Sequence, residues 1–406
     1  MSFARRCLPF AVVGAASAWM AFANTGTGDF PVDAGAAIHA LTHGHSSQFF
    51  SIHATGPFAI LLEASFALLG RGSALAEYQW ACFPCLLAAG FLGLYLAAMA
   101  RRRGVSALSG CAIAMLCLVN PLTLEALQSG HPEEMLTAAL AVAAVAVASE
   151  GYDRRAAVLL GLAIASKQWA VIAILPVLMA VPARRVRTAL ITAAVALAFI
   201  LPIVAAGPGS YSGGQANLTS TSGIVDPWNI WYPAATVTTI KLPAGDSYLT
   251  AHPHRATIVA QLSHPLIVLL AIALPLALAL RRRRFGLSGP DAMTLFALLA
   301  LLRCALDPVG TLYYHEPLLL ALIGWDAMTC RNWPLRGLAG AAIAALFWRW
   351  SLDLSDPQAL NIAYIVMAVG VGGVIAVALF RRARSRPVAV AATRFGGGIV
   401  AGRSYG

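Results

Sequence analysis

The sequence predicts an all-α membrane protein: a polytopic bundle of about ten full spans plus one short helical hairpin, with interfacial helices in the first outer loop. Three observations predict it. Of 406 residues, 59% are hydrophobic and only 11% are charged, against roughly 25% charged in soluble domains. Apolar stretches recur near the roughly 20 residues a helix needs to cross a bilayer. The basic residues behind the net charge of +11 stand in short clusters between those stretches. Such clusters orient membrane segments and do not form a nucleic-acid-binding face.

The elements follow in order. Residues 8–23, after Arg5 and Arg6, form a retained first span, since no cleavage site precedes a soluble domain. Further spans lie at 77–100, 105–120, 133–149, 187–206, 256–280, 288–305, 312–328, 336–351 and 358–380. The apolar stretch Pro57 to Gly70 reaches only about 21 Å at about 1.5 Å per residue. It is short of a core of roughly 30 Å, so it reads as an interfacial helix. Residues 156–181 are apolar but broken by Ser166-Lys167-Gln168-Trp169, and read as a hairpin that starts and ends on one face.

With the amino terminus cytoplasmic, 22 of the 28 Lys and Arg residues fall inside and three outside. That split sets both termini in the cytoplasm and the protein in the inner (plasma) membrane as a multi-pass chain. Residues 1–380 make one transmembrane domain with two long outer loops, 24–76 and 207–255. Residues 381–406 are a basic, Gly-rich cytoplasmic tail, expected to be disordered and to touch anionic lipid. The inner loops leave no room for a nucleotide-binding domain and no Walker motif occurs, which disfavours an ATP-driven pump. The seven cysteines, Cys82-Phe83-Pro84-Cys85 among them, lie mostly in apolar segments and suggest neither disulfides nor zinc.

All nine histidines and most acids fall on or near the outer side. Asp29 and Asp33 follow the first span; either can serve a turn or a helix start, or act as a general base toward a hydroxyl acceptor. His39, His43, His45 and His53 are dense enough to raise zinc, but solvated loop positions explain them, and no metal or cofactor is expected. The run "LQSGHPEEM" places Gln128, His131, Glu133 and Glu134 at the mouth of a span. Pro and two acids suit a helix start, yet crowded polar groups at a bundle mouth also suit substrate binding. Lys167 is one of two lysines against 26 arginines. A lone ammonium at membrane depth fits a phosphate, or an ion pair with Glu133 or Glu134, and Gln168 is beside it. Trp228 and Trp231 in "DPWNIWYP" fit a sugar ring or an interfacial anchor. Arg303, Tyr314 and His315 lie at another outer boundary, where Arg303 can hold an anion or pair with Asp307.

Three patches together resemble the GT-C glycosyltransferases, closest to glycosyltransferase family 87, which includes mannosyltransferases fed by polyprenyl-phosphate mannose. They are "DFPVDAGAAIHALTHG" with "ATGPFAILLEASF", "LQSGHPEEMLTAALAVAAVAVASEGYDRRAAVLLGLAIASKQW", and "LDPVGTLYYHEPLLLALIGWD". Asp29 falls on the family's catalytic aspartate, Asp33 on its usual tyrosine, and Lys167 on its lysine. The resemblance implies a polyprenyl-phosphate sugar donor, a lipid or glycan acceptor, no nucleotide, and inversion at the anomeric carbon. It implies Asp29 or Asp33 as base, and Lys167, Arg303 and His131 on the donor phosphate. The rival reading is a transporter or glycolipid flippase, which would need a polar path to both faces.

Overall fold

The computed structural model describes residues 3–42, 56–206, 227–241, 247–253, 256–329, 332–351 and 356–381. Its helices are α1 (Phe3–Ala23), α2 (Ala36–Thr42), α3 (Pro57–Ala67), α4 (Ala74–Arg102), α5 (Ala107–Leu118), α6 (Pro121–Ser129), α7 (Pro132–Ser149), α8 (Asp153–Ser166), α9 (Ile174–Ala180), α10 (Arg185–Ala206), α11 (Ala256–Arg282), α12 (Gly289–Leu306), α13 (Glu316–Thr329), α14 (Leu335–Ser351) and α15 (Pro357–Arg381). The tail after Arg381, His43, His45 and His53 lie outside the described residues.

Local chemistry sets the helix starts. Ser73, Ser106, Asn120 and Ser288 cap α4, α5, α6 and α12 by accepting first-turn amides, and proline opens α3, α6, α7 and α12, where its missing N–H costs nothing. Among the described residues, seven helical segments are long and apolar enough to cross a membrane; Cys7–Ala23, Pro57–Gly70 and Gln168–Ala180 are apolar but shorter.

Two features were not in the sequence reading. The span at 105–120 continues beyond Leu118 as α6, after a break at Asn120-Pro121. Leu127 and Gln128 therefore ride on a helix, where the sequence suggested a loop. The second long loop carries an antiparallel pair, β1 (Ala235–Lys241) and β2 (Ser247–Pro253), a small addition to an otherwise helical bundle.

Helix α7 is the hub, packed against α4, α8, α9, α12 and α13. Helices α8 and α9, joined by a 3-10 turn at Gln168–Ala173, form the short hairpin expected from the sequence. At its bend the backbone N–H of Gly56 donates to Ser166 O at 2.8 Å, pinning the start of α3. A Cβ on Gly56 would lie 2.3 Å from Ala165 O, so only glycine allows this approach.

The opposite end of the bundle is closed by arginine. Glu150 accepts from Tyr95 Oη at 2.6 Å and pairs with Arg102. Arg282 meets Asp291 at 2.7 Å and Arg336 meets Asp326 at 2.6 Å.

Candidate functional site

Four distant segments meet at the mouth of α7. Gly130, at φ +88°, ends α6 and turns the chain into α7. The loop after α1 docks on this turn: Asp29 N–H donates to Ser129 O at 2.9 Å, and a Cβ on Gly130 would lie 2.5 Å from Thr27 O. Gly28 is equally close to Ser129 and has φ +50°. Asn24 Nδ2 and Tyr78 Oη both donate to Leu127 O. Asp29 is thus fixed beside His131 by backbone contacts that a side chain on either glycine would obstruct.

From this turn a chain of charges runs inward. Asp29 Oδ2 lies 3.8 Å from His131 Nε2, and the Asp29 side chain is 76% exposed. His131 Nδ1 lies 3.0 Å from Glu133 Oε1. Glu133 Oε1 accepts Lys167 Nζ at 2.9 Å, and Glu134 Oε1 is 3.2 Å from the same nitrogen. Trp169 Nε1 donates to Glu134 Oε2 at 2.9 Å. Both glutamates are buried. The ion pair considered for Lys167 is therefore present, and doubled: two carboxylates in an apolar bundle require that ammonium. Contact with His131 holds the Asp29 carboxyl below its ordinary value, against partial burial. Burial opposes charge on His131, but Glu133 and Asp29 outweigh it and push the imidazole up to about 9.

Arg303, in the last turn of α12, is held differently. Its guanidinium stacks over Tyr314, 4.2 Å from the ring centroid, and Trp169, at 5.3 Å, and donates to Tyr314 O at 3.3 Å. Its contact with Asp307 is long, at 3.9 Å. Aromatic faces retain the cation without neutralising it.

The other expected residues divide. Tyr314 joins the site through Arg303; Gln128 and Gln168 are exposed near its rim. Asp33 lies on the π-turn Pro31–Gly35, with its side chain outside the described residues. His315 is buried and bonded to Tyr364 Oη at 2.9 Å and Leu312 O, which directs both ring nitrogens inward. Trp228 is buried edge-on against Phe347 and Tyr364. Trp231 donates Nε1 to Leu306 O at 2.7 Å. These two tryptophans pin the 227–234 segment to the bundle, an anchoring role, and offer no stacking platform in this structure.

Sequence reasoning missed four participants. Trp169 and Tyr313 flank the charges, the latter stacked on His131 at 5.2 Å between centroids. Glu63 of α3 is fully buried against the Cys85 thiol, with Oε2 unpaired. Glu316 is likewise buried and accepts from Asn120 Nδ2 at 3.0 Å and Thr123 at 3.2 Å. A carboxylate within an apolar run was the available signal for both. Among the described residues, no group of three His, Cys, Asp or Glu is placed to hold a metal ion.

Beside the site, α13, α14 and α15 line a half-open apolar cavity of about 460 Å³. Leu122, His315, Leu318, Trp325, Phe347 and Val371 are among its walls, and Arg336 lies at its far end.

This architecture matches a solved structure described as ArnT from Cupriavidus metallidurans bound to undecaprenyl phosphate. The TM-score is 0.51 and the identity 14%, and the match covers 94% of this chain and 71% of that one. A search of curated proteins finds no match. The fold is that of the GT-C glycosyltransferases, and the protein is a multi-pass membrane protein. The model of glycosyltransferase family 87 matches residues 56–308. The chain belongs to that family.

Proposed function

We propose that this glycosyltransferase moves a hexose or pentose, mannose first among them, from a polyprenyl phosphate to a lipid- or glycan-linked acceptor at the outer face of the inner membrane. Asp29 is the general base. It accepts the acceptor's hydroxyl proton as that oxygen bonds the anomeric carbon from the side opposite the phosphate. The bond from that carbon to the phosphate oxygen breaks, its electron pair stays on the phosphate, and configuration inverts. Arg303, held by aromatic faces and one long contact with Asp307, meets the developing phosphate charge, and Lys167, shared between Glu133 and Glu134, gives its remaining N–H to the phosphate as a hydrogen-bond donor. The polyprenyl chain enters the apolar cavity between α13, α14 and α15. Its His315 wall is one residue beyond Tyr314, whose carbonyl holds Arg303.

The observation that carries this reading is the run of contacts that joins an exposed carboxylate, Asp29, through His131, Glu133, Glu134 and Trp169 to two cations, Lys167 and Arg303, from segments far apart in sequence. A chain of buried charges on one end of the bundle suits chemistry at a surface more than passage across it.

The test is transfer of radiolabelled sugar from polyprenyl phosphate by purified protein in native lipid extract. Asp29→Asn should reduce transfer by about 100-fold or more, with donor binding and expression retained. Wild-type rates in that variant would end the assignment of the base.

A further inference from the structure

Resting on the glycosyl-transfer reading above, we infer that His131 is a positioning residue for the base: wedged between Asp29 and Glu133, it holds the Asp29 carboxylate at the rim where an acceptor hydroxyl arrives.

An exposed aspartate on a loop ordinarily turns freely. The backbone of Asp29 is fixed by Ser129 O, but nothing in that bond aims its carboxylate. His131 supplies the aim because its own ring has little freedom. Its backbone N–H donates to Ala126 O at 2.8 Å, its ring stacks on Tyr313 at an interplanar angle of 24°, and Nδ1 is 3.0 Å from Glu133. Those three constraints leave Nε2 directed toward Asp29. With an acid on each side, both ring nitrogens act as donors, which is the imidazolium form.

The groups around the ring favour that form. Asp29 faces it from the first loop, Glu133 from α7 and Tyr313 from the 3-10 turn at Leu312–His315. Lys167 opposes it from the hairpin, and Glu63 of α3 lies within electrostatic range of the same cluster. Two carboxylates in direct contact, Asp29 and Glu133, outweigh one ammonium that Glu133 and Glu134 already share. An imidazolium has no lone pair, so His131 does not relay the proton. The acceptor's proton stops on Asp29, and His131 acts only by holding its carboxylate in place.

The pH dependence follows with a definite sign. The ordinary imidazole value is about 6.5, and His131 sits at about 9, so its hold is complete below the first and is lost as pH rises through the second. Asp29 is depressed, so its ionised form persists above the ordinary carboxylate value of about 3.9 and is lost as pH falls below it.

The experiment compares pH–rate profiles of wild type, His131→Gln and Asp29→Asn in nanodiscs at saturating donor. Wild type should hold a plateau that falls above pH 9. His131→Gln should lose about tenfold at pH 7, show an acid limb moved to higher pH, and lack the alkaline limb, with donor KM within about twofold. If Asp29→Asn is inactive and the His131→Gln profile superimposes on wild type, the inference fails while the base assignment stands. If Asp29→Asn is active, the base assignment itself fails. Should His131→Gln not fold, carboxyl-selective labelling of Asp29 in the wild-type protein, followed by mass spectrometry against pH, decides. A half-labelling point below the ordinary carboxylate value supports the inference, and one at or above it overturns it.

Discussion

Helices α7 and α12 differ from α10, α11 and α15 in a way that shows where this protein keeps its chemistry. The first two are almost wholly covered by other helices, while the other three face outward along most of their length. The buried pair is the less hydropathic, the reverse of a water-soluble protein, where the interior is greasier. The solvent explains it: a lipid-facing helix has no tolerated position for a charge, whereas a helix wrapped in protein can offer one a partner. Thus α7 carries Glu133 and Glu134, α12 carries Asp291 and Arg303, and α10, α11 and α15 carry no carboxylate at all. Within α7 and α12, charge on the arginine-rich end serves closure and charge on the Asp29 end forms a site.

That contrast can be tested at graded strength. The largest effect should come from Lys167→Met, which leaves Glu134 without a cation and Glu133 with His131 alone. A loss of about 3–5 kcal/mol is expected, read as early thermal unfolding and lost transfer. Adding Glu133→Gln and Glu134→Gln should restore stability but not donor affinity. Recovery of both would mean that Lys167 only neutralises the glutamates. Arg303→Lys comes next: it keeps the charge but loses the flat stack on Tyr314 and Trp169. Donor KM should rise about tenfold with folding intact, and an unchanged KM would remove Arg303 from the donor site. Gly130→Ala forces a Cβ against Thr27 O and Asp29 N at positive φ. It should cost about 1–3 kcal/mol and lower kcat by displacing Asp29. Trp231→Phe deletes one hydrogen bond, to Leu306 O, worth about 1 kcal/mol, with transfer unaltered. Smallest of all, Val366→Ala on the outward face of α15 should shift stability by under about 0.5 kcal/mol.

The helical membrane architecture was legible because apolar composition and arginine clusters need no knowledge of partners, though ten spans were expected and seven helices among the described residues are long and apolar enough. Lys167 stood out for the same reason, as a rare charge in an apolar run. Partnership was not legible. The Asn120-Pro121 break carries a local start signal, but the buried partner of Asn120, Glu316, lies nearly 200 residues away and nothing near Asn120 announces it. Asp29 was visible as a candidate, but its docking on Ser129 and Gly130 was written only in glycines whose need appears once two backbones touch. Trp228 and Trp231 stayed open between two roles because an aromatic that anchors a loop and one that stacks on a sugar have the same one-letter code. Their hydrogen bond and ring contacts supply the anchoring.

The hairpin at Lys167 has a consequence for who can be a customer of this enzyme. Its first arm, α8, has 14 residues and climbs only about 21 Å, so the bend stops well beneath the level of the lipid headgroups in a bilayer core of roughly 30 Å. Lys167 and the two glutamates around it therefore sit below that level. On the proposed reading, a substrate must carry its reacting atoms down past the headgroups to meet them, which favours a partner anchored in the same leaflet.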